Sequence, residues 1–272
     1  MVSGSAKYRE IKQALADAGA FDADFETREI IREYTGRALP LTGDISADEE
    51  RRIDEAVRRR KTGEPLQYIF GKWEFYGLPF YVGEGVLIPR PETELLVDIA
   101  SERLNARSTA LDLFSGSGCI PVSIAKTTGA RCFAVELHDA AFGYLKRNIA
   151  LNGVEDRVTA VQADACDGTL LGDMRFDYIS ANPPYITEAE MRELPPNVRY
   201  EPETALSGGR DGLDFYRAFI PAWAGRLANG GTIAAETGET QGAAVSDIMR
   251  ECGLEPTIIK DYAGLDRVVL GK

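Results

Sequence analysis

The stretch Thr257-Ile258-Ile259-Lys260-Asp261-Tyr262-Ala263-Gly264-Leu265-Asp266-Arg267-Val268-Val269-Leu270 decides the fold. Residues 257–259 and 267–270 read as strands, being rich in β-branched and aliphatic side chains. The segment 261–266 between them is too short for the helix that a parallel crossover needs. This pair is therefore expected to be antiparallel. Toward the N-terminus, residues 231–236, 176–181, 158–162, 131–136 and 110–114 are further strand candidates, separated by helical stretches. Strands alternating with helices imply right-handed βαβ units and a parallel sheet. The expectation is an α/β domain with a doubly wound seven-stranded sheet whose last strand is antiparallel. A dehydrogenase sheet would continue parallel.

Upstream of the sheet, residues up to about 62 look helical. Tyr8, Ile11, Leu15 and Ala18 share one helical face. A second helix is expected over 25–34, capped by Asp24 and stopped by Gly36. A third starts at Ser46, which forms a capping box with Glu49. It runs through Ile53 and Val57 to Thr62-Gly63. The basic run Arg58-Arg59-Arg60-Lys61 suits the negative end of the helix dipole. A solvated helix end is the simpler reading of that run, and contact with an acidic or RNA-bearing partner the sharper one. Residues 73–82 carry two short aromatic runs around Gly77, a β-hairpin pattern. In Leu87-Ile88-Pro89-Arg90-Pro91 the prolines forbid a helix up to Pro91 and favour a start there. This stretch reads as a stiff junction. The expected organisation is a small helical N-terminal domain over 1–72, a β-hairpin linker over 73–90 and the α/β domain over 91–272.

The 272 residues suffice for one α/β domain of about 200 residues and a smaller module. No apolar run approaches the ~18 residues of a membrane span, and no secretory signal opens the chain. Cys119, Cys132, Cys166 and Cys252 form no C-x-x-C pair, and His138 is the only histidine. A zinc site is not expected, and free thiols without a signal fit a reducing cytoplasm. The net charge of −12 disfavours long-range attraction to bare nucleic-acid phosphates.

Four elements carry chemistry. Asp112-Leu113-Phe114-Ser115-Gly116-Ser117-Gly118 closes a strand and opens a helix, and its glycines permit a sharp turn and close approach to a ligand. A tight turn without a ligand is the plain alternative. Glu136 ends the next strand, 18 residues beyond Gly118, where a carboxylate reaches a ribose diol. That spacing fits NAD and S-adenosylmethionine equally. Asp164, followed by Ala165, stands where an acceptor could take an adenine amino group. Asn182-Pro183-Pro184-Tyr185 then ends the fourth strand, facing the same crevice. The prolines make a rigid turn that can set the Pro183 carbonyl beside the Asn182 side-chain carbonyl. Two such acceptors match an –NH2 group, and Tyr185 can stack on the flat group that carries it. An amide-type nitrogen is a poor nucleophile because its lone pair is delocalised. Holding both hydrogens out of plane localises the lone pair toward a methyl donor. The residues thus point to an S-adenosylmethionine-dependent methyltransferase acting on a planar nitrogen. The catalytic candidates are Asn182, Pro183 and Tyr185, and the substrate would bind across Asn182, Pro183, Pro184 and Tyr185.

These motifs resemble the HemK/PrmC-type family of peptide chain release factor glutamine N5-methyltransferases. The resemblance rests on Glu64-Pro65-Leu66-Gln67-Tyr68-Ile69, the 87–94 stretch, the glycine loop, Asn182 to Ile186 and Glu201-Pro202. It continues through Ala205-Leu206, Gly208-Gly209, Asp211-Gly212-Leu213-Asp214, Tyr216-Arg217 and Gly264-Leu265-Asp266-Arg267-Val268-Val269. It implies S-adenosyl-L-methionine as cofactor, S-adenosyl-L-homocysteine as product and no metal. It also implies as substrate the glutamine of the Gly-Gly-Gln motif in class I release factors, docked with help from the helical N-terminal domain. Cofactor contacts are implied for Phe114, Ser115, Gly116, Ser117, Gly118, Glu136 and Asn182. Phe114 stands where the family usually has glycine, and Ala165 where a tryptophan is sometimes found. The Asn-Pro-Pro-Tyr run is shared with adenine-N6 methyltransferases, the alternative reading. Those must extract a base from its stack and favour a basic cleft. A nicotinamide-dependent oxidoreductase leaves the Asn182 motif and the terminal pair unexplained. A non-catalytic protein keeping the fold is a further alternative. Neither DNA nor a membrane is an expected partner.

Overall fold

The computed structural model describes residues 2–37 and 43–272. It divides into two compact units. The smaller comprises Met1–Gly71 with Pro195–Tyr200, and the larger Lys72–Leu194 with Glu201–Lys272.

The smaller unit contains β1 (Val2–Ser3), α1 (Gly4–Asp17), α2 (Ala23–Thr35), β2 (Asp44–Ile45), α3 (Ala47–Arg60) and α4 (Leu66–Phe70). β1 pairs antiparallel with β2. Ile11 and Leu15 are buried with Ile30, Ile31 and Ile53, as their helical spacing predicts. Ala18 is not part of that face. α1 stops at Asp17, and Ala18 is exposed just before Gly19, whose φ is +81°. The cap of α2 is Asp22, which accepts from Phe25 N at 2.9 Å, rather than Asp24. The helix starts earlier than the apolar pattern suggested, so Asp24 falls in its first turn, where a carboxylate still suits the dipole. There it pairs with Lys12 and Arg28. The Ser46–Glu49 capping box is formed. α3 ends at Arg60, and the three arginines of its basic run are paired locally. Arg58 pairs with Glu55, Arg59 with Glu64 and Arg60 with Glu26.

The larger unit opens with the hairpin β3 (Lys72–Phe75) and β4 (Leu78–Tyr81). Tyr76 and Gly77 close it, both at positive φ (53° and 70°), as a type I′ turn requires. A 3-10 turn over Pro91–Thr93 leads into α5 (Glu94–Ser101), the start that the prolines dictate. Then follow β5 (Thr109–Leu113), α6 (Cys119–Thr128), β6 (Arg131–Glu136), α7 (Asp139–Leu151), β7 (Val158–Gln162), β8 (Phe176–Ala181) and the short α8 (Glu188–Met191). The chain finishes with α9 (Asp214–Ala224), β9 (Leu227–Glu236), α10 (Gly242–Glu251), β10 (Pro256–Lys260) and β11 (Asp266–Gly271).

The seven-stranded sheet has the order β10-β11-β9-β8-β5-β6-β7. β11 is antiparallel to both its neighbours, and the remaining pairs are parallel. The expected doubly wound seven-stranded sheet is therefore present, with β11 wedged between β9 and β10. Each face carries its own core. Val97, Ile120, Ile124 and Leu145 cover one face, and Leu111, Phe176, Phe219 and Trp223 the other. Four of the seven strands differ from their expected bounds, β10 and β11 by one residue at each end. β5 stops at Leu113, because Phe114 turns to φ +60°. β9 starts at Leu227, with a register shift opposite Phe176–Tyr178 that accommodates Gly230 at φ +76°. β5 pairs with β6 on one side and β8 on the other, which makes this the switch point where open sheets bind ligands.

Candidate active site

A cavity of about 500 Å³ opens beyond the carboxyl ends of β5, β6 and β8. Its wall takes Phe114, Ser115, Gly116 and Ser117 from the loop after β5, and Glu136 and His138 from the end of β6. Asp164 and Ala165 follow β7, and Asn182 and Pro184 follow β8. Arg90 and Thr93 come from the segment before α5, and the rest of the wall includes residues 202–205. Gly118 lies behind the wall. Its φ is +82°, and a Cβ there would come within 2.5 Å of Leu145 Cδ1. At Gly116 (φ +55°) the space a Cβ would take is open, so the backbone is bare toward the cavity.

Glu136 is 6% exposed, and two backbone groups fix its carboxylate. Gly116 N donates to Oε2 and His138 N to Oε1, each at 2.8 Å. Each oxygen keeps a further lone pair, so the carboxylate can still accept from a ligand. Asp164 is exposed and accepts from Cys166 N at 2.9 Å. Ala165 is buried, and its carbonyl accepts from Trp223 Nε1 at 2.7 Å. Beneath the loop lies Asp112, which sequence reading gave no role. It is 1% exposed, and Ser180 Oγ donates to its Oδ1 at 2.6 Å. Its Oδ2 has no partner. Burial pushes this carboxyl up to about 7, despite the hydrogen bond from Ser180.

Asn182 Nδ2 donates to Thr93 Oγ1 at 3.2 Å. With its amide nitrogen so engaged, Asn182 has Oδ1 left for a ligand. Pro184 joins the cavity wall, whereas Pro183 and Tyr185 do not. The Tyr185 ring packs half-buried against the Phe219–Trp223 face, and burial pushes its hydroxyl up. Its carbonyl accepts from Gln241 Nε2 at 2.9 Å. Two further residues shape the site. Thr93 is 2% exposed beside Asn182. Glu201 is buried, accepts from Ile88 N at 2.9 Å and pairs with Arg90, tying the 201–205 segment to the proline segment. Both belong to stretches that marked the family resemblance, but nothing in their local sequence assigned them a contact.

The sequence profile of the PrmC N-terminal domain matches residues 7–71, and that of the TRM5/TYW2 methyltransferase domain matches residues 98–194. The release factor glutamine methyltransferase of Moorella thermoacetica is 42% identical over 80% of this chain and 78% of its own length. This chain belongs to the release factor glutamine methyltransferase family. The Geobacter sulfurreducens member is 38% identical over 95% of this chain and 92% of that protein. Among solved structures, the hMettl16 catalytic domain in complex with the MAT2A 3'UTR hairpin 6 superposes with a TM-score of 0.59. It covers 84% of this chain and 82% of that one at 19% identity, a likeness of fold alone. No helix among the described residues of this family member is long and apolar enough to cross a membrane.

Proposed function

We propose that this chain transfers the methyl group of S-adenosyl-L-methionine to the side-chain amide nitrogen of a glutamine, leaving S-adenosyl-L-homocysteine. The substrate is the glutamine of the Gly-Gly-Gln motif in class I release factors, met in the cytoplasm. One observation carries this reading. Asn182, its amide nitrogen held by Thr93, opens on the same cavity as the bare Gly116 backbone and the fixed Glu136 carboxylate. The names borne by its relatives support the choice of substrate.

The residues present suit the cofactor. Glu136 offers two oriented acceptors for a ribose diol, and Gly116 lets a ligand lie against the backbone. Asp164 accepts from an adenine amino group at the cavity edge, beside Ala165. Ser115, Ser117 and Phe114 complete that wall. When bound, the cofactor supplies an electrophilic methyl group on a sulfonium.

Asn182 Oδ1 and the Pro183 carbonyl each accept one hydrogen of the substrate amide. Holding both hydrogens out of the conjugation plane localises the nitrogen lone pair and aims it for in-line transfer. Pro184 keeps the turn rigid, and Tyr185 anchors its far end, its ring packed against the Phe219–Trp223 face and its carbonyl held by Gln241. The surplus proton leaves after the methyl group arrives, so no strong base is needed at this site. The helical domain over 1–72 docks the release factor.

The test offers a labelled methyl donor to a release factor, to the same factor with its Gly-Gly-Gln glutamine replaced, and to DNA, side by side. Label on the intact factor alone is the expected result. Equal labelling of both factors, or labelling of DNA, defeats the assignment.

A further inference from the structure

The turn over Asn182–Tyr185 is stiff, because its prolines fix their φ angles. A shift at one end of a stiff turn carries to the other. Thr93 meets the near end, at Asn182. The far end is gripped by the side-chain amide of Gln241, which immediately precedes α10. Gln241 Nε2 donates to the Tyr185 carbonyl at 2.9 Å and to the Gly212 carbonyl at 3.3 Å. Its Oε1 accepts from Gly238 N at 3.0 Å, just beyond β9. All three partners are backbone groups of fixed polarity, so the amide fits only one way round. Its two hydrogens meet two carbonyls, and its oxygen meets an N–H. Glutamate cannot donate twice and lysine cannot accept, so glutamine suits this place and they do not.

The surroundings are shaped to admit that amide. Gly212 is buried at φ +75°, and a Cβ there would lie 2.3 Å from both Gln241 Nε2 and the Tyr185 oxygen. At Gly208 a Cβ would come within 2.7 Å of the Pro184 oxygen and 2.8 Å of Tyr185 Cα. Two glycines thus let a second stretch of backbone lie close against the turn, with Ile186 bridged to Ser207 beside it. Gln241 itself does not line the cavity.

Resting on the methyl-transfer reading above, we propose that Gln241 is a positioning residue. It clamps the Tyr185 carbonyl and so sets where Asn182 Oδ1 and the Pro183 carbonyl meet the substrate amide. It touches neither the reacting atoms nor the cofactor.

The test compares Gln241→Met, which keeps the length and removes every side-chain hydrogen bond, with Gln241→Glu, which keeps an acceptor for Gly238 but cannot serve both carbonyls. Methylation of a release factor is followed with each substrate varied in turn, and S-adenosyl-L-homocysteine binding is measured by calorimetry. Both variants are expected to lose about 10- to 100-fold in kcat, the scale of a misplaced reactive group, with product affinity unchanged. Wild-type kcat in Gln241→Met overturns the proposal. So does wild-type kcat in Gln241→Glu, since the Gly238 bond alone would then suffice. A fall in kcat matched by weaker product binding overturns it too, because the damage would not be confined to the turn. Should Gln241→Met fail to fold, Gln241→Asn decides. It keeps the amide and falls one methylene short, which predicts a lower kcat with product binding retained, and wild-type kcat there overturns the proposal. An unsubstituted enzyme inactive on every release factor removes the methyl-transfer reading itself, which no result from a Gln241 variant can do.

Discussion

Phe114 holds a backbone conformation that glycine adopts freely and L-residues adopt at a cost of about 1–2 kcal/mol. The expected family glycine at this position thus has a physical reason, the +60° φ that ends β5. The phenylalanine is kept by its ring. It meets Phe215 and Phe219 edge-on, with centroids 5.4 and 5.6 Å away. Each such pair contributes about 0.5–1.5 kcal/mol beyond area burial. Phe114→Gly is therefore expected to relieve strain and still lower stability by about 1–2 kcal/mol, because lost packing outweighs it. Urea unfolding checks this, and a more stable variant contradicts it. For Asn182→Ala the expectation is a kcat lower by about 10²–10³-fold, the size seen when one charge-stabilising contact is removed. Its fold should survive, since the lost bond to Thr93 contributes about 1 kcal/mol. Single-turnover transfer and a thermal melt separate the two effects. Collapse of the fold with the activity would assign Asn182 a structural role instead.

At the level of elements, Gly118 starts α6 in a left-handed conformation against Leu145. Gly118→Ala combines an unfavourable φ with a clash and is expected to cost about 2 kcal/mol. The loop after β5 should shift with it, and if that loop holds the cofactor as proposed, S-adenosyl-L-homocysteine should bind more weakly in calorimetry. Wild-type affinity would show that the loop does not depend on this packing. Much of the fold was legible because its signals are local. The strands at 131–136, 158–162 and 176–181 match their sequence bounds, since alternating apolar runs end there at polar turns. The antiparallel relation of the last two strands followed from a loop too short for a helix. The wedging of β11 between β9 and β10 did not, because strand order depends on distant partners. Gly230 and Gly231 concealed the start of β9, which only its pairing with β8 reveals. The site divides the same way. The glycine loop, Glu136 and Asn182 sit at readable strand ends. Thr93 lies 89 positions from Asn182 and looks like any threonine ahead of a helix. Only the folded chain joins them.

Across the whole molecule, buried and exposed carboxylates pull stability in opposite directions with pH. Burial pushes Asp112 and Glu236 each up to about 7. In the unfolded chain such groups titrate near ~4. Between roughly pH 4 and 7 the folded state therefore holds more protons than the unfolded one, and stability falls as pH rises through that window. Asp24 and Asp211 are held down at about 2, the first by Lys12 and Tyr8 and the second by Arg217. Their stabilisation is present above about pH 4 and is lost toward pH 2. Asp112→Asn, which keeps an acceptor for Ser180, should flatten the decline between roughly pH 4 and 7. Urea titrations across that range check it, and an unchanged slope would show that Asp112 is already ionised in the folded protein.

The division of the chain bears on how this protein can be recombined. The smaller unit is built from two pieces, and Tyr200 Oη binds the Thr62 carbonyl at 2.9 Å inside it. The backbone thus passes between units three times, near residues 71, 194 and 200. A chimera made by one crossover at Gly71 would pair a foreign helical module with the native residues 195–200. A faithful exchange must carry that six-residue island along, and natural gene shuffling meets the same obstacle. The helical unit and the seven-stranded sheet are consequently bound to be inherited together.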